Sequence, residues 1–157
     1  MVVPSSASPS PLRLQRTERI FPVPKVQAAI LSDVAYVRDG LVYLLAGGIN
    51  RVTTELPGTL NVALTVMVEL EATEFGQSHQ INVKIVHADT TTRVGEASGQ
   101  FHSGDTSKLA PGEPMLLPLV VTLKGIQLPL HGSYDIHVSV NAEPQQLLTF
   151  RCLPPRR

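Results

Sequence analysis

The chain has one cysteine, no tryptophan and no long apolar run, and each scarcity removes a class of function. A single thiol, Cys152, can form neither an intramolecular disulfide nor a cysteine-based zinc site. Four Phe, three Tyr and no Trp make a poor platform for stacking sugars or interleaving with nucleobases. The longest apolar stretches, residues 41–49 and 116–123, fall far short of the ~20 residues that cross a bilayer as a helix. Residues 1–25 lack the apolar run of about 7 to 15 residues that an export signal needs, because Pro4, Pro9, Pro11 and four serines interrupt them. A cytoplasmic protein with no membrane span is the expectation.

Charge is scarce and unevenly placed. The 13 basic and 13 acidic residues cancel. Residues 1–25 carry Arg13, Arg16, Arg19 and Lys25 against Glu18, and residues 151–157 add Arg151, Arg156 and Arg157. Each end is therefore +3, which leaves 6 basic and 12 acidic groups between them, a body of −6. Such a body repels a duplex, so nucleic acid is not an expected partner. Basic ends that dock on an acidic body do so through contacts that salt weakens, since exposed charges are screened over about 10 Å at 0.1 M.

What is present is the material of one folded domain. A chain of 157 residues with 43% hydrophobic and 17% charged residues is long enough to bury a core and too apolar to stay unfolded. Residues 1–24 hold 5 of the 13 prolines, and Phe21-Pro22-Val23-Pro24 suits extended polyproline-like backbone. The expected organisation is an extended or disordered Pro/Ser-rich arm over 1–24, a β-sandwich domain over 25–153 and a basic tail over 154–157.

The sandwich is read from period-two patterning. Leu60, Val62, Leu64, Val66, Val68 and Leu70 alternate with Asn61, Ala63, Thr65, Met67 and Glu69, which predicts a strand with one buried face and one mostly solvated. Ile81, Val83 and Ile85 form a second inward row, Leu117, Leu119, Val121 and Leu123 a third, and Ile136, Val138 and Val140 a fourth; residues 147–151 make a weaker last strand. Residues 26–37 and 41–49 are apolar on both faces, which predicts a central position or a second surface that something covers. Arg38-Asp39-Gly40 joins them, and Asp-Gly supplies the positive φ angles of a tight hairpin. Gly95 and Gly99 inside a strand predict a bulge or a close backbone approach. Gly47-Gly48 ends a strand with no helix after it, so it does not cradle phosphate. A turn of helix is expected over residues 103–109. The fold class is all-β: a single antiparallel sandwich of about eight strands, Ig-like or C2-like.

The candidate chemistry is thin. His79 and His87 bracket one inward row about 26 Å apart at 3.3 Å per residue, too far to share a metal. His137 faces outward beside Asp135, and His102 and His131 lie in loops. Asp39, Asp89 and Asp105 are lone loop aspartates without the ligand density of a calcium site. Ser32, Ser98 and Ser103 lie in no Gly-x-Ser-x-Gly elbow. Cys152 follows Arg151 near the chain end, where a lowered thiol pKa is an option but a shaped pocket is not. No catalytic, cofactor or metal residue is assigned. Tyr134, opening a strand after Gly132-Ser133, sits where a phenol bonds back to an earlier backbone group in sandwich folds.

The run Asp33-x-Ala35, Asp39-Gly40-Leu41 and Gly47-Gly48 resembles the opening signature of a family of small uncharacterised bacterial proteins, a domain of unknown function. Gly132-x-Tyr134 and Leu148-Thr149-Phe150-Arg151 are similar to its later motifs, so the resemblance spans residues 26–152. It implies a compact β-sandwich and carries over no catalytic residue, cofactor or substrate.

These features together lead to the expectation of a non-catalytic protein-interaction or assembly module. It would self-associate or bind a protein partner through strand edges, with the arm as a tether. The alternative is a small-ligand or lipid-binding sandwich, which predicts a pocket lined by aromatics. An enzyme is not expected.

Overall fold

A computed structural model describes residues 23–157; most of the expected arm lies outside the described residues. Ten strands follow in chain order: β1 (Lys25–Ser32), β2 (Val34–Arg38), β3 (Leu41–Leu45), β4 (Arg51–Thr53), β5 (Gly58–Leu70), β6 (His79–His87), β7 (Arg93–Phe101), β8 (Met115–Leu128), β9 (Gly132–Val140) and β10 (Glu143–Leu153). The all-β class stands, with two strands beyond the expected eight. The stretch 26–37 breaks at Asp33 into β1 and β2, and residues 51–53 add the short β4.

A three-stranded sheet, β1-β5-β8, faces a five-stranded sheet, β4-β10-β9-β6-β7. The pairing is antiparallel except for β4 beside β10, which runs parallel. Between the sheets the inward rows meet as one core in which Leu64, Val66, Val83, Ile85, Ile136 and Phe150 are buried. Register explains the alignment of those rows. Leu64 lies opposite Leu31 and Val121, and Ile85 opposite Ile136, so apolar side chains share a face across every strand pair.

The other face of β5 is not solvated as its pattern predicts. Ala63 and Thr65 are also buried, because β2 and β3 form a separate two-stranded ribbon and β2 passes close to β5 and β8. Ile30, opposite Thr65 in the register, reaches to 3.4 Å from where a Cβ on Gly47 would stand, just beyond β3. Period two reports which residues share a face; it does not report a third layer laid over that face.

Glycine and turn chemistry fix the corners. Asp39 (φ 52°) and Gly40 (φ 74°) make the expected tight turn between β2 and β3. At Gly95 a Cβ would stand 2.8 Å from Ile126 Cδ1, which is the close approach that lets β7 lie against β8, and the β6–β7 register shifts beside it at Ile85/Val86. Residues 103–109 form no helix, and the reason is local. Asp105 Oδ1 accepts the Ser107 N–H at 2.9 Å and Thr106 O accepts the Leu109 N–H at 3.1 Å, which closes turns instead. The short 3-10 turn is at Ala72–Glu74, where the Glu74 carboxylate accepts the Glu71 N–H at 2.8 Å.

The β9–β10 hairpin turns on Asn141 (φ 48°) and Ala142 (φ 65°). Asn tolerates the left-handed region; Ala does not, and its Cβ costs roughly 1 kcal/mol there. Ala142→Gly is therefore expected to raise stability by about 0.5 kcal/mol, the steric relief less the added freedom of the unfolded chain. Equal or lower urea midpoints for the variant would refute this.

Candidate functional site

The β2–β3 ribbon carries the largest concentration of exposed apolar side chains. The register pairs Val34 with Leu45, Tyr36 with Tyr43 and Arg38 with Leu41, and alternation puts these six on one face. Ala35, Val37, Val42 and Leu44 take the other. On the first face Val34 is 50% exposed, Tyr36 54%, Leu41 62%, Tyr43 44% and Leu45 66%. The two tyrosine rings stack with centroids 4.9 Å apart and planes 8° from parallel. Charge is confined to the ends: Arg38 pairs with Asp39 at 3.7 Å at the tip, and Asp33 is exposed at the root.

The edges of the sandwich itself offer less. At β1 the Val26 N–H donates to Gln145 Oε1 at 3.2 Å, and the Gly48 and Ile49 N–H groups both donate to Leu31 O. On the opposite side, Pro118 interrupts the long edge strand β8 and β7 packs against it.

The histidines are held as structural groups. His87 is buried; its Nδ1 accepts the Thr90 N–H at 3.3 Å, and its Nε2–H donates to His131 O at 3.2 Å. His79 is buried in the same way, with Nε2–H donating to Glu74 O at 3.3 Å and Nδ1 accepting from Asn141 Nδ2 at 3.0 Å. His131 donates to Thr54 O at 3.0 Å, and His102 and His137 are exposed. Among the described residues no three His, Cys, Asp or Glu side chains are placed to hold a metal ion. Asp39 and Asp105 are engaged in their own turns, and Asp89 lies exposed beside His87. Ser32 is buried with its hydroxyl donating to Val34 O, Ser103 accepts the Gly76 N–H, and Ser98 is exposed on β7. Cys152 is not at a loose end: it is a fully buried member of β10, and burial pushes its thiol up, not down.

Glu74 is the group that sequence patterning missed. It is 2% exposed, its Oε1 has no hydrogen-bond partner, and burial raises its pKa above the ordinary value of 4.5. The readable signal was the Glu71-x-x-Glu74 spacing of a capping box. A carboxyl whose pKa is raised by folding contributes stability that is fully present below pH 4.5 and is lost as pH rises through the raised value. Glu74→Gln keeps the acceptor for the Glu71 N–H without the charge. Its melting temperature is expected to exceed that of the parent at pH 7, with the gap closing toward pH 4. A gap independent of pH would remove the buried charge as the cause.

An open concavity of about 620 Å³ lies on the outer face of the five-stranded sheet, lined in part by Lys84, His137, Ser139, Gln146 and Leu147. Neither Phe nor Tyr lines it.

Residues 27–152 match the model of a family of unknown function, DUF6941. The chain belongs to that family. No protein of curated function matches it. The DUF6941 match starts in β1 and ends in β10, so it takes in the sandwich and the β2–β3 ribbon together. Within it, Asp39-Gly40 is the ribbon turn, Gly47 packs near Ile30 where β3 returns to β1, and Gly132 takes φ 126° against His87. Among the described residues no helix is long and apolar enough to cross a membrane.

Proposed function

We propose that this DUF6941 domain is a non-catalytic protein-interaction or assembly module of the cytoplasm, and that the exposed face of the β2–β3 ribbon is its contact surface. The observation that carries this reading is the row Val34, Tyr36, Leu41, Tyr43 and Leu45, each 44–66% exposed on a ribbon built by itself. A contiguous row of large apolar side chains facing solvent marks a surface that a partner completes. The sandwich edges support contact less well than the ribbon, because side-chain amides and loop N–H groups already satisfy much of β1 and a proline interrupts β8. The residues before β1, with their basic side chains, would serve as a tether to an acidic neighbour. A small-ligand or lipid-binding reading finds no aromatic side chain in the lining of the 620 Å³ concavity.

The test is a photo-crosslinking amino acid placed at Tyr43 in the native host, with Lys108, exposed on a distant loop, as the control position. Protein adducts from position 43 and none from 108 are the expected result. Equal labelling at both positions, or none at 43, would overturn the proposal.

A further inference from the structure

Resting on the interaction reading, we infer that the partner of the ribbon is a second copy of this chain, packed face to face about a two-fold axis. Two observations lead there: area and self-complementarity.

The five exposed side chains leave on the order of 500 Å² of surface in one row, given ~150–250 Å² for each aromatic and somewhat less for each aliphatic. That lies in the upper part of the ~300–600 Å² that a monomer's largest patch covers. Two such faces pressed together remove about 1,000 Å², the area that a biological interface has to clear.

The face is also suited to itself. A two-fold axis brings the same patch together twice, so each residue must find its match on an identical surface. Here an uncharged centre of stacked Tyr36 and Tyr43 is flanked by Leu41 at the tip side and Val34 with Leu45 at the root side. Aromatic centres surrounded by aliphatics are the composition of binding hot spots.

The experiment is sedimentation of the full chain between 1 and 100 µM, on the parent, Tyr43→Glu, Leu41→Gln and Leu147→Glu. Leu147 is 58% exposed but lies on β10, outside the ribbon. The parent is expected at twice its 17.0 kDa within this range. Tyr43→Glu is expected to raise the dissociation constant at least ~30-fold, as loss of a central hot spot does. Leu41→Gln should raise it less and Leu147→Glu not at all, with melting temperatures near the parent's marking folded variants. A parent that stays monomeric at 100 µM overturns the inference, as does a dimer indifferent to both ribbon substitutions. The photo-adducts at Tyr43 then separate the two readings. A monomer that still labels other proteins loses only self-pairing, and one that labels nothing loses the interaction reading as well. A monomer whose Tyr36 and Tyr43 resist iodination has its own N-terminal residues on the face, which also overturns pairing between copies.

Discussion

Phe150→Ala is expected to cost about 4 kcal/mol of unfolding free energy, the range for an aromatic deleted from a packed core. Phe150 has no exposed surface and stacks on Tyr134 with ring centroids 5.3 Å apart and planes 9° from parallel. Tyr134 in turn meets the His87 ring edge to face at 4.9 Å. The three rings sit on adjacent strands in register, Phe150 opposite Tyr134 and Tyr134 opposite His87, so none can slide into a void left by another without breaking the ladder. Against a total stability of ~5–15 kcal/mol, that loss brings a domain of this size close to unfolding. Urea denaturation measures it, and a loss under about 2 kcal/mol would mean that the site collapses around the gap. Tyr134→Phe separates packing from hydrogen bonding at the same place. The phenol donates to Leu130 O at 2.8 Å and accepts the Leu130 N–H at 3.3 Å, and burial pushes its pKa up. Losing only the hydroxyl should cost roughly 1 kcal/mol. The ratio of the two variants, not either value alone, tests the account.

That cluster also shows what a sequence can reveal of this fold. Alternation is a local property, so the inward rows on β5, β6, β8 and β9 and the backbone bond of Tyr134 were readable from residue types alone. The length of β10 was not. Its early residues, Gln145 and Gln146, precede the apolar row, and their side chains bond across to Val26, a contact between residues about 120 positions apart. Nor could alternation distinguish a centrally placed strand from the ribbon at 34–45. Both are apolar on two faces, but the ribbon lies near β5 and β8 with one face partly covered and leaves the other to solvent. Cys152 failed in the opposite sense. Its nearness to the chain end suggested a loose thiol, but parallel pairing of β10 with β4 draws the terminus into the core. These three misses turn on how distant segments pack, and the one at the ribbon bears on function, since the ribbon is the proposed contact surface.

His87→Leu is expected to cost about 2 kcal/mol, although leucine matches the imidazole in size and suits the surroundings better. The cost lies in the groups left behind. Thr90 N–H can only donate and His131 C=O can only accept, so Nδ1 serves as the acceptor and Nε2–H as the donor. Leucine takes the ring partner from the half-buried His131 carbonyl and from the Thr90 N–H, and leaves the Thr90 hydroxyl, at 3.1 Å from Nδ1, with only the Thr92 N–H at 3.4 Å. His79→Leu should behave alike, since it strands Glu74 O and Asn141 Nδ2. His137, exposed on β9, is the control, and its leucine variant should stay within about 0.5 kcal/mol of the parent. Equal stability in all three variants would mean that the buried histidines are not held by these bonds, and would reopen them as groups kept for chemistry. A loss confined to positions 79 and 87 assigns them to the fold, and leaves the ribbon as the surface on which function is sought.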